Sequence, residues 1–353
     1  MNRIGILGLV CWLLVLPAVN GQQKQLPKLV IVATGGTIAG SGESSTTASY
    51  TSGVAGVDEM LRSVPGVEKM AEIKGEQFCK IGSQDMTFDI LLRLANYLNE
   101  LLARQDVDAV VITHGTDTME ESAYFLSLTV KSDKPVVMVG AMRPSSALSA
   151  EGPLNLYNAI ATAVSPKSVK RGVMVVMNDL VFDAQSLIKM NTASVQAFQA
   201  PDKGPAGKVN YGVVEYYRYP SRYYGVASDL SVAGVTKLPR VDVIYACTDM
   251  SADLIEASVK LGAKGIVVAG VGNGNLNAAS LKACADAAKK GVVVVRSSRV
   301  ATGSVGRNVE VNDDELGLVA ADQLNPAKAR VLLSLLLVKN RTPQQIQEYF
   351  FSY

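Results

Sequence analysis

The chain contains a single histidine in 353 residues, His114, and this scarcity closes off much chemistry. A multi-histidine metal site is excluded, at most one histidine-based triad could form, and no G-x-S-x-G elbow accompanies the ring. Cysteine is almost as scarce, at four residues. Cys11 falls inside an amino-terminal apolar run, and Cys79, Cys247 and Cys284 stand at spacings that match no metal motif. An odd number of thiols in the remainder leaves at least one free, and a buried position is expected for it. Charge is sparse too: 19% of residues, with a formal net of +2 and no block of one sign. Neither a nucleic acid nor a membrane is therefore expected as a partner. Long apolar runs are missing as well, since residues 4–16 fall short of the roughly 20 that a membrane helix needs and no later stretch is long enough.

What is present points to a well-cored, exported enzyme. Nearly half the chain, 48%, is hydrophobic, which argues against disorder, and the length favours about two domains. Arg3, the apolar run over 4–16, Pro17 and the small residues at Val19-Asn20-Gly21 have the form of a signal peptide processed after Gly21. Removing it takes away one positive charge.

The remaining chain is organised around Leu29-Val-Ile-Val-Ala-Thr-Gly-Gly-Thr37. An apolar, β-branched run without alternation suits a central parallel strand covered on both faces. In such sheets ligands bind at the carboxyl ends of the strands, which is where Thr34 and Thr37 stand. The plain alternative is an ordinary strand-to-helix turn. Residues 40–50 are small and polar and end in Tyr50, as a mobile lid beside a site would. A helix is predicted over 88–104 from the recurrence of Ile90, Leu91, Leu94, Leu98, Leu101 and Leu102. It leads to a second strand, Ala109-Val-Val-Ile-Thr113, that ends in the same grammar as the first: Thr, Gly, Thr, then Asp117. Further strands are predicted at 135–140 and 173–177, with helices at 121–130 and 154–164, as βαβ units. Residues 201–240 break the rhythm and show little periodicity. Strands resume at 241–246, 264–269 and 292–295, and a capped helix starts at Asn325-Pro326. The glycine-rich Gly270-Val-Gly-Asn-Gly-Asn275 lacks the third glycine of a dinucleotide fingerprint, so no nucleotide cofactor is expected.

Five motifs in order carry a resemblance: Ala33-Thr-Gly-Gly-Thr-Ile-Ala39, Gly82-Ser-Gln-Asp-Met86, Thr113-His-Gly-Thr-Asp-Thr-Met-Glu120, Gly140-Ala-Met-Arg-Pro144 and Gly270-Val-Gly-Asn-Gly-Asn275. Together they resemble the bacterial type II L-asparaginases of the asparaginase/glutaminase family, from about residue 26 to 353. The resemblance implies two α/β domains: a larger amino-terminal one (22–217) with a mostly parallel sheet flanked by helices, and a smaller, Rossmann-like parallel-sheet one (240–353) after a linker at 218–239.

It also implies hydrolysis of the asparagine side-chain amide without metal or cofactor. Thr37 would be the nucleophile, with Tyr50 as its activating neighbour and Glu310 behind it. Thr116, Asp117 and Lys189 would form a second catalytic group, in an order of proton transfer that the residues leave open. Ser83, Gln84 and Asp117 would hold the amino-acid end of the substrate. The Ala141 carbonyl would accept from the amide or the departing ammonia, and the N–H groups of Thr37 and Thr116 are oxyanion-hole candidates. His114 would be structural. Arg104 and Ser132 occupy positions at which some members of the family have a disulfide. Lys131 is expected on the surface, as an ordinary lysine against which Lys189 can be compared. The resemblance makes the active unit a homotetramer in which Asn273 and Glu310 complete a neighbour's site, located in the periplasm. The rival readings are a broad glutaminase-asparaginase and an exported amino-acid-binding protein.

Overall fold

The computed structural model describes residues 25–40, 42, 45 and 56–353. The signal-peptide segment and Tyr50 therefore lie outside the described residues. Strand β1 (Lys28–Gly35) leads through helix α1 (Val57–Arg62) to β2 (Glu72–Ile81), then α2 (Phe88–Ala103) to β3 (Ala109–Thr113). Helix α3 (Met119–Thr129), β4 (Val136–Val139), α4 (Gly152–Val164) and β5 (Val173–Met177) follow. The chain then reverses through β6 (Leu180–Asp183), the small pair β7 (Ile188–Lys189) and β8 (Phe198–Gln199), and a hairpin of β9 (Gly207–Asn210) and β10 (Val213–Tyr216). The carboxyl-terminal half runs β11 (Val241–Tyr245), α5 (Asp253–Lys260), β12 (Gly265–Gly270), α6 (Ala278–Lys289), β13 (Val293–Ser298), α7 (Asp313–Leu316), β14 (Val319–Ala320), α8 (Pro326–Leu336) and α9 (Pro343–Ser352).

The larger sheet has the order β10-β9-β6-β5-β4-β3-β1-β2, parallel from β2 to β5 and antiparallel beyond. The smaller one, β11-β12-β13-β14, is parallel throughout. Two-residue turns cause the switch to antiparallel pairing. Asn178 and Asp179 adopt φ of 48° and 63°, and Tyr211 and Gly212 of 45° and 80°; such consecutive left-handed residues match the twist of a hairpin. The expectation that 201–240 carries no regular structure is thus corrected over its first half, where β9 and β10 extend the sheet. Val209 and Val214 are buried there, but four-residue strands are too short to show alternation clearly. Strand β2 was also missed. It is an edge strand with alternating charge and partial burial, unlike the apolar β1 beside it.

Helix α2 shows why the predicted elements form. Its Leu91, Leu92, Leu94, Leu98, Leu101 and Leu102 are all buried, and Thr87 caps its start by accepting from Ile90 N. Each such leucine contributes about 1.5–3 kcal/mol on transfer from water. One core joins α2 and α3, under the large sheet, to α8 and α9, under the small one; α3 packs directly on α8. Separate cores cover the outer faces, against α1 and α4 on one side and α5 and α6 on the other.

Candidate active site

Chain order from β1 to β2 runs one way across the sheet, and from β2 to β3 it returns past β1. The crevice at the carboxyl ends of β1 and β3 is therefore a topological switch point, where open α/β sheets bind ligands. Both Gly-Thr turns emerge there. Gly36 has φ of 83°, and a Cβ on it would lie 2.3 Å from the Gly115 amide nitrogen. Only bare backbone allows the turns to approach this closely, and the approach brings Thr37 and Thr116, the next residue of each, side by side. Both threonines are buried, at 6% and 5% exposed. The reading of Thr34 as a second reactive hydroxyl is corrected: its Oγ1 donates to the Thr113 carbonyl at 2.8 Å, tying β1 to β3.

Ser83 enters from the short turn after β2. Its Oγ accepts from Asp117 N at 3.1 Å and its carbonyl accepts from Thr118 Oγ1 at 2.7 Å. Gly115 is again required bare, because a Cβ there would meet Ser83 Oγ at 2.6 Å. Gln84 is exposed, with its side-chain amide folded over Gly82.

Lys189, distant in sequence, closes the group. Its Nζ donates to Thr116 Oγ1 at 2.9 Å and to Asp117 Oδ1 at 2.6 Å. The lysine side chain is 16% exposed but the aspartate 63%, so the carboxylate opens to solvent while the ammonium faces the threonine. An ion pair exposed on one side adds little stability; its effect is to fix positions. The expected comparison residue Lys131 is not an ordinary surface lysine, since its Nζ donates to the carbonyls of Leu128, Gly225 and Ser228, and burial pushes its amine down to about 8.

His114 is fully buried, and its Nδ1 donates to the Gly115 carbonyl at 2.6 Å. Burial pushes the ring down to about 4, outweighing that hydrogen bond, so it is neutral in ordinary conditions and serves to shape the turn. Ala141 is buried next to Gly152. Glu151, not singled out from sequence, accepts from the Met142 and Arg143 amides and so shapes the turn that presents the Ala141 carbonyl. Ser145 and Ser146 bond to Gly40 and Gly42 at the base of the expected lid.

Asn273 and Glu310 lie together in the carboxyl-terminal half. Asn273 Oδ1 accepts from Gly306 N at 2.8 Å, and Glu310, exposed, accepts from Asn275. Behind them the buried Arg296 makes a bidentate pair with Asp313 at 2.6 and 2.7 Å and donates to the carbonyls of Asn273, Gly274 and Gly306. All three cysteines among the described residues are free, with Cys284 buried and Cys247 exposed. No cluster of three or more metal-ligating side chains occurs among the described residues.

A threonine hydroxyl flanked by a lysine-threonine-aspartate group is suited to amide hydrolysis, and sequence comparison agrees. Residues 28–222 match the family description Asparaginase, N-terminal, and residues 240–350 match Glutaminase/Asparaginase C-terminal domain. The chain belongs to the asparaginase family. It is 49% identical to L-asparaginase 2 of Escherichia coli (strain K12) over 334 residues, 95% of each chain. It is 48% identical to the probable periplasmic L-asparaginase of Haemophilus influenzae, over 97% of each. A crystal structure of the probable cytoplasmic L-asparaginase from Campylobacter jejuni superposes with a TM-score of 0.90 at 45% identity, covering 93% of this chain and all of that one. Like other asparaginases, the chain is an amide hydrolase on an α/β scaffold.

Proposed function

We propose that the chain hydrolyses the side-chain amide of L-asparagine to L-aspartate and ammonia. The observation that carries this reading is the Lys189–Thr116–Asp117 group standing beside the Thr37 turn at the switch point of the sheet. Thr37 Oγ attacks the amide carbon, its proton passing to a neighbouring base, and a tetrahedral oxyanion forms. The N–H groups of Thr37 and Thr116 stabilise that charge. Collapse breaks the carbon–nitrogen bond, ammonia leaves with an added proton, and water then attacks the threonine ester to release aspartate and restore the hydroxyl.

Tyr50 and Glu310 serve the activation of Thr37, and Thr116, Asp117 and Lys189 relay protons on the other side. Ser83, Gln84 and Asp117 hold the α-carboxylate and α-ammonium, the Ala141 carbonyl accepts from the amide, and Asn273 reaches over from a second chain. Asp117 is suited to the ammonium because its carboxylate opens to solvent. The active unit is a homotetramer with shared sites. Export through the segment before Gly21 rests on Arg3 and the apolar run that follows it. A glutaminase activity is the second reading, favoured by the second family description; one methylene is worth only about 1–3 kcal/mol of discrimination, so kcat/KM for the two amides decides the ratio.

Ammonia release from asparagine separates this reading from an amino-acid-binding protein, which would bind without turnover. Thr37→Ala and Thr116→Val are each expected to lose nearly all turnover while aspartate still binds. Wild-type kcat in the first variant would refute the nucleophile assignment; an effect in only one would refute the paired-threonine arrangement.

A further inference from the structure

Lys189 sits in a strand of only two residues, too short to hold a side chain in a reactive position unaided. Contacts from elsewhere hold its segment. Lys328, 1% exposed, donates through Nζ to the carbonyl of Gln185 at 2.8 Å and to that of Leu187. Glu120, in the first turn of α3, accepts from the Lys189 amide at 3.1 Å through Oε2 and from Asn325 Nδ2 at 3.3 Å through Oε1. Asn325 is the cap of α8, and Lys328 is the residue whose amide it caps, at 3.0 Å. Both lie in the carboxyl-terminal half of the same chain.

A fully buried ammonium is costly, and burial pushes Lys328 below the usual lysine range, with Glu120 and Asp183 opposing. A methionine of similar length would fill the same space without that cost, but it would leave two buried carbonyls unpaired and free their segment to move. The lysine thus performs a geometric task that an apolar side chain could not.

We propose that Lys328 and Glu120 form a clamp, reaching from the α3–α8 contact to both sides of Lys189, that positions its ammonium for the reaction, so that the carboxyl-terminal half of each chain sets the geometry of its own amino-terminal site. This rests on the role given to Lys189 above. It makes the carboxyl-terminal half act twice, on its own chain through α8 and on a neighbour through Asn273 and Glu310.

The test uses Lys328→Met, the isosteric Glu120→Gln, and Lys189→Met as reference, each in the full-length protein. Hydrogen exchange over 185–190 should speed up in both clamp variants while that over 28–38 is unchanged. Misplacement of a reacting group by about 1 Å can cost about 100-fold, so kcat should fall by about tenfold or more with aspartate affinity retained. Adding Glu120→Gln to Lys189→Met should cost nothing further, because the clamp acts through the lysine. Unchanged protection over 185–190, or kcat and aspartate affinity falling together, would overturn the clamp. If Lys328→Met does not fold, Glu120→Gln decides by the same readouts. Wild-type kcat in Lys189→Met would instead defeat the role given to Lys189, while the exchange data still decide whether its segment is clamped.

Discussion

At the scale of single residues, the site is assembled from groups whose pairing no local pattern announces. Thr37 and Thr116 stood out in the sequence because each ends a β-branched strand with Gly-Thr. Lys189 did not, since it lies 72 residues from Asp117 within a polar stretch, and only the family resemblance singled it out. Glu120 was visible in its motif but without a task, because its partners Lys189 and Asn325 are reached only through the fold. His114 supports a prediction of its own. Its native value of about 4 lies below the ordinary 6.5 because burial disfavours the charged ring. Between these values the unfolded chain binds a proton that the native state does not, so stability falls as pH drops from about 6.5 to 4. The loss is on the order of 3 kcal/mol. Urea unfolding at pH 7 and pH 4.5 should therefore show a smaller pH-dependent gap in His114→Gln than in the wild type; an equal gap in both would contradict the buried neutral ring.

At the scale of elements, apolar parallel strands and leucine-rich helices were legible, and edge strands were not. Strand β1 is buried almost throughout and reads as a strand by composition alone, whereas β2 mixes charge with partial burial because only one of its edges is paired. The β9–β10 hairpin was hidden for a related reason, as its strands are brief and its turn places Tyr211 at positive φ where a glycine would have signalled it. The loops carrying Asn273 and Glu310 depend on one buried pair. Arg296→Met would leave Asp313 as an uncompensated buried charge and free three carbonyls, so a loss of about 3–5 kcal/mol is expected in urea unfolding. Replacing Asp313 by Leu as well should recover part of it. A cost near zero for the single change would mean that the pair does not anchor these loops.

At the scale of the whole molecule, the two sheets share one core through α3 and α8, so the halves act as a unit although a linker joins them in sequence. The shared-site arrangement leads to a mixing experiment. Chains with Thr37→Ala and chains with Glu310→Ala, each inactive alone, should regain part of the activity on co-assembly, because one site of a mixed dimer carries both defects and its partner carries neither. No recovery in verified hetero-oligomers would mean that Glu310 acts within its own chain. The sequence by itself determined the fold class and the Gly-Thr turns, because hydrophobic runs of strand and helix period and obligatory glycines are local properties of the chain. Tertiary structure alone decided the strand order that makes β1 and β3 neighbours, the contact of Lys189 with Thr116, and the grip of α8 on the Lys189 segment. Each of these depends on side chains far apart in sequence meeting in a shared core, and packing, rather than local propensity, sets those distances.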